Sequence, residues 1–167
     1  MRRISVMGCI LFYFSCRFVT GDANSHPDNK ESLDSSSVEL SNYFSMANSY
    51  FDSKQYDSAI KYLNYSIKID SLDGKFFFMR GKSYSYLFDN KSAISDYLQS
   101  AKLNYRTSDA YFNVAVNSMF DNDSMALYYF KKSSDLNPND PDAKFQIEEC
   151  AKRLLAKKAP ITPIKRK

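Results

Sequence analysis

The chain is short of the residues that most chemistry needs. Its one histidine, His26, lies in a polar stretch outside any apolar pattern, so a histidine general base or metal cluster within a fold is excluded. The four glycines fall at 8, 21, 74 and 81 and nowhere make a glycine-rich phosphate loop. Of the three cysteines, Cys9 and Cys16 sit in the N-terminal apolar segment and only Cys150 in the body. A lone thiol has no partner for an internal bridge, so core packing must hold the fold, and Cys150 reads as a buried residue on a helix face, the alternative being a reactive or metal-binding thiol. The longest apolar run, Ile4 to Phe14, is too short to cross about 30 Å of hydrocarbon as a helix. The carboxylates mostly occupy helix starts and turns, where capping accounts for them. These absences argue against an enzyme and leave no candidate catalytic residue, cofactor site, metal site or small-molecule substrate.

What the chain has is a repeat. Ala47, Tyr50, Ala59, Leu63 and Ser66 are answered 34 residues later by Gly81, Tyr84, Ala93, Tyr97 and Ser100, and more loosely by Ala115, Ser118, Ala126, Phe130 and Ser133. A period of that length holding two helical stretches is the mark of a stacked helix-pair array, in which a unit buries its apolar face only against a neighbour. Each residue type has a packing reason. Two antiparallel helices approach to about 8–10 Å only where the contact side chains are small. The sets Ala47/Gly81/Ala115 and Ala59/Ala93/Ala126 therefore mark closest approach, with the larger side chains filling either side. Apolar spacing and punctuation predict helices near 39–52, 56–69, 74–87, 91–104, 108–120, 123–136 and 141–157. Pro141 suits a first helical turn.

This pattern resembles the tetratricopeptide repeat family, which places an aromatic, a Leu-Gly or Leu-Ala pair and a Tyr on the first helix of a unit, and an Ala and a Phe or Tyr on the second. The resemblance covers about residues 40 to 140. It implies an all-α, right-handed superhelix of about three helix pairs (repeats about 40–73, 74–107 and 108–140) with a capping helix at 141–157. Two departures stand out. Ser66, Ser100 and Ser133 replace the Ala that the family prefers, and unit three is one residue shorter between Ala115 and Ala126, with Ser118 in the place of the first-helix Tyr. A looser third interface and a tighter or irregular turn at Asp121-Asn122-Asp123-Ser124 are expected.

The termini are organised differently. Arg2 and Arg3 precede the apolar run, and polar sequence follows Arg17, so residues 1–21 fit a secretory signal peptide. Tyr13-Phe14-Ser15-Cys16 resembles the cleavage box of bacterial lipoproteins, which implies lipidation at Cys16 and an exported, membrane-tethered protein of a bacterial cell envelope, at the outer membrane or in the periplasm. Tyr13 stands where that box usually has Leu. Ordinary cleavage after Gly21 or Ala23, an uncleaved anchor and a misassigned start stay open. Residues 22–38 offer almost nothing to bury and read as a flexible linker. Net charge is +4, yet residues 150–167 hold seven Lys and Arg and no acid, so the repeats themselves are mildly acidic. Residues 158–167 read as a basic disordered tail, solvated or lying on anionic lipid or cell-wall polymer; export argues against nucleic acid as a partner.

Function then rests on the concave face. In tetratricopeptide proteins the first helix of each pair lines it, which by resemblance points to Phe44, Asn48 and Phe51 in unit one, Phe78, Lys82 and Tyr86 in unit two, and Phe112, Val116 and Phe120 in unit three. This reads as an aromatic ladder with few charges, suited to a peptide or protein partner bearing apolar side chains. The alternative is that half of these residues are core between helices. Family members that grip a peptide's C-terminal carboxylate use a Lys/Arg/Asn set; here Phe44, Asn48, Met79, Asp109 and Asn113 hold the matching places, and only Asn48 agrees. Two functions of different class follow: an adaptor that binds a partner through its groove, or a structural module that self-associates.

Overall fold

A computed structural model describes residues 28–158, with the backbone alone for residues 28–34. The described residues contain seven α-helices and no strand: α1 (Asp28–Asp52), α2 (Tyr56–Ile69), α3 (Gly74–Tyr86), α4 (Asn90–Lys102), α5 (Thr107–Ser118), α6 (Asp123–Leu136) and α7 (Pro141–Lys158). Each helix packs chiefly on the helices just before and after it in the chain, the mark of a linear stack in an all-α helical-repeat fold. Residues 1–27 and 159–167, which include Cys16, the expected signal peptide and most of the expected basic tail, lie outside the described residues.

Helix starts follow from local chemistry. Asp73 accepts from the Lys75 amide at 2.8 Å, Asp89 from Ser92 at 3.1 Å, Asn122 from Met125 at 2.9 Å and Asp140 from Asp142 at 2.9 Å, each meeting an amide that no preceding carbonyl can reach. The first two units close their first helix alike. Lys54 and Phe88 adopt left-handed φ values of 60° and 61°, and the next amide reaches back five residues, Gln55 to the Tyr50 carbonyl at 2.8 Å and Asp89 to that of Tyr84 at 3.0 Å. The one-residue deletion in unit three removes this left-handed residue. There the Asn122 amide bonds the Ser118 carbonyl at 2.8 Å, a shorter closure, as the shortened spacing predicts.

The core runs along the stack. Ala47, Ala59, Ala93, Ala115 and Ala126 are completely buried, with Leu63, Phe76, Phe130 and Cys150. Gly81 shows how tight the approach is: a Cβ there would stand 3.3 Å from the Ala93 carbonyl, the Asp96 Cβ and the Tyr97 ring. Tyr97 fills the second unit, meeting Phe78 edge-on at 5.4 Å. The three serines that replace alanine are buried and bonded, Ser66 to the Tyr62 carbonyl, Ser100 to that of Tyr105, and Ser133 to Ser108. Arg80 on α3 joins three helices, giving Asp96 on α4 two bonds at 2.7 Å and reaching Asn64 on α2 at 2.5 Å. Burial works against the Arg80 charge, but the bonds and charge of Asp96 outweigh it and hold the guanidinium pKa above its ordinary value.

Two expectations are corrected. Residues 28–38, part of the expected linker, are helical: α1 begins at Asp28, not near 39. No Gly or Pro interrupts 28–52, and a helix nucleated by packing farther along extends at little cost. The third interface is not looser, since Ala115, Ala126 and Phe130 are fully buried and Ser118 turns its hydroxyl onto the Val114 carbonyl at 2.7 Å.

Helix α7 ends the array. Where the earlier first helices carry Ala47, Gly81 and Ala115, it carries exposed Glu148, which offers no point of close approach to a further helix. It seats Ala143 and Cys150 against the stack, and a polar clasp adds to this: Asp123, the buried first residue of α6, meets Arg153 at 3.0 Å and Lys157 at 2.7 Å. Burial raises the pKa of the Cys150 thiol, keeping it neutral.

Ala93→Leu overpacks the closest approach and is expected to cost about 1–3 kcal/mol, read as a lowered melting temperature; an unchanged melt contradicts the contact. The hydrogen bond from Lys157, with the Lys157 and Arg153 charges, holds the Asp123 pKa below the usual carboxylate value. A depressed folded pKa stabilises above the unfolded value and is lost as pH falls through the folded one, so the clasp is intact down to about pH 4 and opens below it. Labelling of Cys150 by an acid-tolerant disulfide reagent, in a chain with Cys9 and Cys16 changed to Ser, is expected to stay slow to that point and then rise. Asp123→Asn speeds labelling at neutral pH; equal rates in both chains rule the clasp out.

Candidate functional site

The inner face of α1, α3 and α5, closed at one end by the start of α7, carries three hollows in a row. Between α1 and α3 lies a cavity of about 450 Å³ lined by Leu40, Phe44, Asn48, Lys75 and Phe76 among others. A second, of about 250 Å³, is formed by Lys82, Ser85, Tyr86, Tyr97 and Asn113. The third, about 300 Å³, is bounded by Phe78, Lys82, Arg106, Asp109, Phe112, Asn113, Asp140 and Asp142. Lys82 and Asn113 belong to the last two, so these form one continuous trough.

The helical period brings the aromatic residues here, but the cations decide what the trough presents. Lys75 lies over Phe44 at 4.5 Å, Lys82 over Phe51 at 4.9 Å and Arg106 over Phe78 at 4.9 Å. Such stacking favours a cation held on a ring face, so three rings are covered by the chain's own charges. Lys75 also pairs with Asp73 at 3.2 Å, and Arg106 with Asp109 at 2.7 Å. Lys82 has no carboxylate partner among the described residues, which leaves a cation at the centre of the trough. Toward α7 the lining turns acidic with Asp109, Asp140 and Asp142, although the Asp140 carboxylate is engaged in capping α7.

The structure separates the nine residues expected to line the groove. Phe44, Asn48, Lys82, Tyr86 and Phe112 line its hollows. Phe51 is half-buried, edge-on to Tyr56 and Tyr86 at 5.4 and 5.7 Å, and lies under Lys82. Tyr86, half in solvent, stacks flat on Tyr56 at 4.8 Å. Phe78 is 4% exposed and belongs mainly to the core with Ala93 and Tyr97. Val116 packs between α5 and α6 with Phe130, and Phe120 lies in the turn after α5, 84% exposed, away from the hollows. The trough is richer in charge than the ladder read from sequence, because Arg106 and Asp140 come from connections between units. Asp140 was legible as the cap of a helix opening with Pro141; nothing in the period marks Arg106. At the carboxylate-gripping places, Met79 packs into the core beside Phe76 and Asp109 is held by Arg106.

Among the described residues no group of His, Cys, Asp and Glu is placed to hold a metal, and no helix is long and apolar enough to cross a membrane.

Comparison with known proteins agrees with this architecture. Residues 40–71 match the tetratricopeptide repeat family model. Serine/threonine-protein phosphatase 5 of Rattus norvegicus is 27% identical over 107 residues, which cover 64% of this chain and only 21% of that protein. The Arabidopsis OM64 tetratricopeptide domain superposes with a TM-score of 0.65 at 16% identity, over 71% of this chain and 98% of that one. The first such domain of Spaghetti (RPAP3), solved bound to the HSP90 peptide SRMEEVD, also reaches 0.65, at 20% identity over 70% and 94%. The family model thus covers one repeat unit, residues 40–71, and at such identities the structural matches speak for the fold alone.

Proposed function

We propose that the chain is a non-catalytic adaptor whose trough binds an extended segment of a partner protein. The observation that carries this reading is the row of three hollows along α1, α3, α5 and the start of α7, floored by aromatic side chains and centred on unpaired Lys82. An extended strand, rising about 3.3 Å per residue, can place successive side-chain anchors along such a row of hollows. Rings already covered by cations suit apolar anchors less than the uncovered Phe112 and Tyr86 do, and Lys82 adds a preference for a carboxylate between them. The peptide complex of the Spaghetti domain supports the use of such a face for peptides; its particular peptide is not carried over, given Phe44, Met79 and Asp109 here. The phosphatase match spans a fifth of that enzyme, and its activity is not part of this proposal.

Peptides selected from a display library on the native protein are expected to bind Lys82→Glu at least about tenfold more weakly, close to 1.4 kcal/mol, and to lose affinity with Tyr86→Ala. Equal binding by these variants, or sedimentation showing a concentration-dependent dimer that masks the trough, overturns the adaptor in favour of a self-associating module.

The sequence of residues 1–21 supports a second element: export into a bacterial cell envelope with a lipid on Cys16. Cys16→Ser is expected to abolish incorporation of labelled fatty acid and retention in the membrane fraction. Persistence of both sinks the anchor without touching the groove.

A further inference from the structure

A fourth cavity, of about 200 Å³, shares no residue with the trough. It lies between the α3–α4 and α5–α6 turns, with Ile94 and Met125 as its apolar part and Asn90, Asn117, Lys91 and Asp121 among its polar part. The two turns carry the most exposed aromatic residues among those described, Phe88 at 86% and Phe120 at 84%. They stand two residues before Asn90 and one before Asp121. Phe88 holds a left-handed φ of 61°, which bulky residues rarely adopt, while its ring stands in solvent. Two open phenyl rings beside an apolar hollow make a surface that lacks a partner.

The path of the chain points to what covers it. Lys157, the next to last residue of α7, reaches Asp123 at 2.7 Å, and Asp123 is two residues from Asp121 in the cavity wall. The chain therefore leaves α7 beside the α5–α6 turn. Residues 159–167 read Ala-Pro-Ile-Thr-Pro-Ile-Lys-Arg-Lys. Nine residues span up to about 30 Å, enough to cross both turns. Each Pro biases itself and the residue before it toward polyproline II, whose three-residue turn sets Ile161 and Ile164 on one side. Asp121 makes no ion pair among the described residues and Asp89 stands at the other turn, so the rim complements a basic segment; Lys91 is the only cation in the lining.

We propose that residues 159–167 dock in cis across these turns, with Ile161 and Ile164 over Ile94 and Met125 between the two phenyl rings, and the Lys-Arg-Lys run beside Asp121 and Asp89. The site is independent of the trough, which stays open, and a partner carrying a proline-spaced apolar and basic segment would compete for it.

The Met125 methyl group reports occupancy. In the full-length protein with ¹³C-methyl methionine, Met125→Leu assigns the resonance, and Met46 and Met79 serve as distant controls. The expected result is that Ile161→Asp with Ile164→Asp shifts the Met125 signal and leaves the controls in place, and that a synthetic peptide of residues 159–167 restores the native position. An unshifted signal means that the cavity is empty and overturns the proposal. A shift that the peptide fails to reverse assigns the effect to α7 and overturns it too. A native signal that moves on dilution shows the segment supplied by a second copy, which overturns docking in cis.

Discussion

Helix pairs in this chain meet where side chains nearly vanish. Ala47 with Ala59, Gly81 with Ala93 and Ala115 with Ala126 let antiparallel helices touch through their backbones, and at Gly81 not even a Cβ fits without moving a neighbour. Close approach at one point forces the helices apart on either side, and the bulky residues beside it fill those wedges, stacked Tyr50 and Tyr62 in unit one and Phe78 against Tyr97 in unit two. Because each pair buries its face against the next, cohesion is passed along the stack and not gathered in one centre. The inner face stays open for the same reason: helices pinned at their point of contact cannot close over it.

That constraint was legible because it repeats. Small residues at fixed spacing gave the helix pairs, and apolar spacing with punctuation gave most helix starts, so six of the seven helices begin within about one residue of expectation. The start of α1 was hidden because residues 28–38 carry no apolar period; Asn, Asp and Ser read as coil when propensity is all there is, whereas an established helix propagates through them. The trough was half legible. Phe44, Asn48, Lys82 and Phe112 follow the period of the first helices, and the resemblance could place them. Arg106 falls outside that logic because it comes from a connection between units, and whether a ring such as Phe78 faces a ligand or a neighbouring helix depends on packing that a single chain of letters does not record.

The cations change the character of the face. An aromatic row alone would take any apolar side chain. With Lys75, Lys82 and Arg106 laid on three of its rings, an entering segment must satisfy or displace charges that are held in place, at an energetic cost that depends on its sequence. Two of those charges are already balanced by Asp73 and Asp109, so selection falls on Lys82, where the hollows join. A ligand lacking a group for that ammonium covers it without compensation and loses what apolar contact supplies.

Helix α7 ties the trough to the turn edge. Its first turn, with Asp142 and the capping Asp140, closes the end of the third hollow, while its last turn is clasped to Asp123 beside the α5–α6 turn. Its main packing is on α6 alone, so it is held from one side, and eighteen residues of helix form a rod about 27 Å long whose two ends cannot move independently. The two surfaces share no lining residue, so an occupant of the turn edge leaves the trough open.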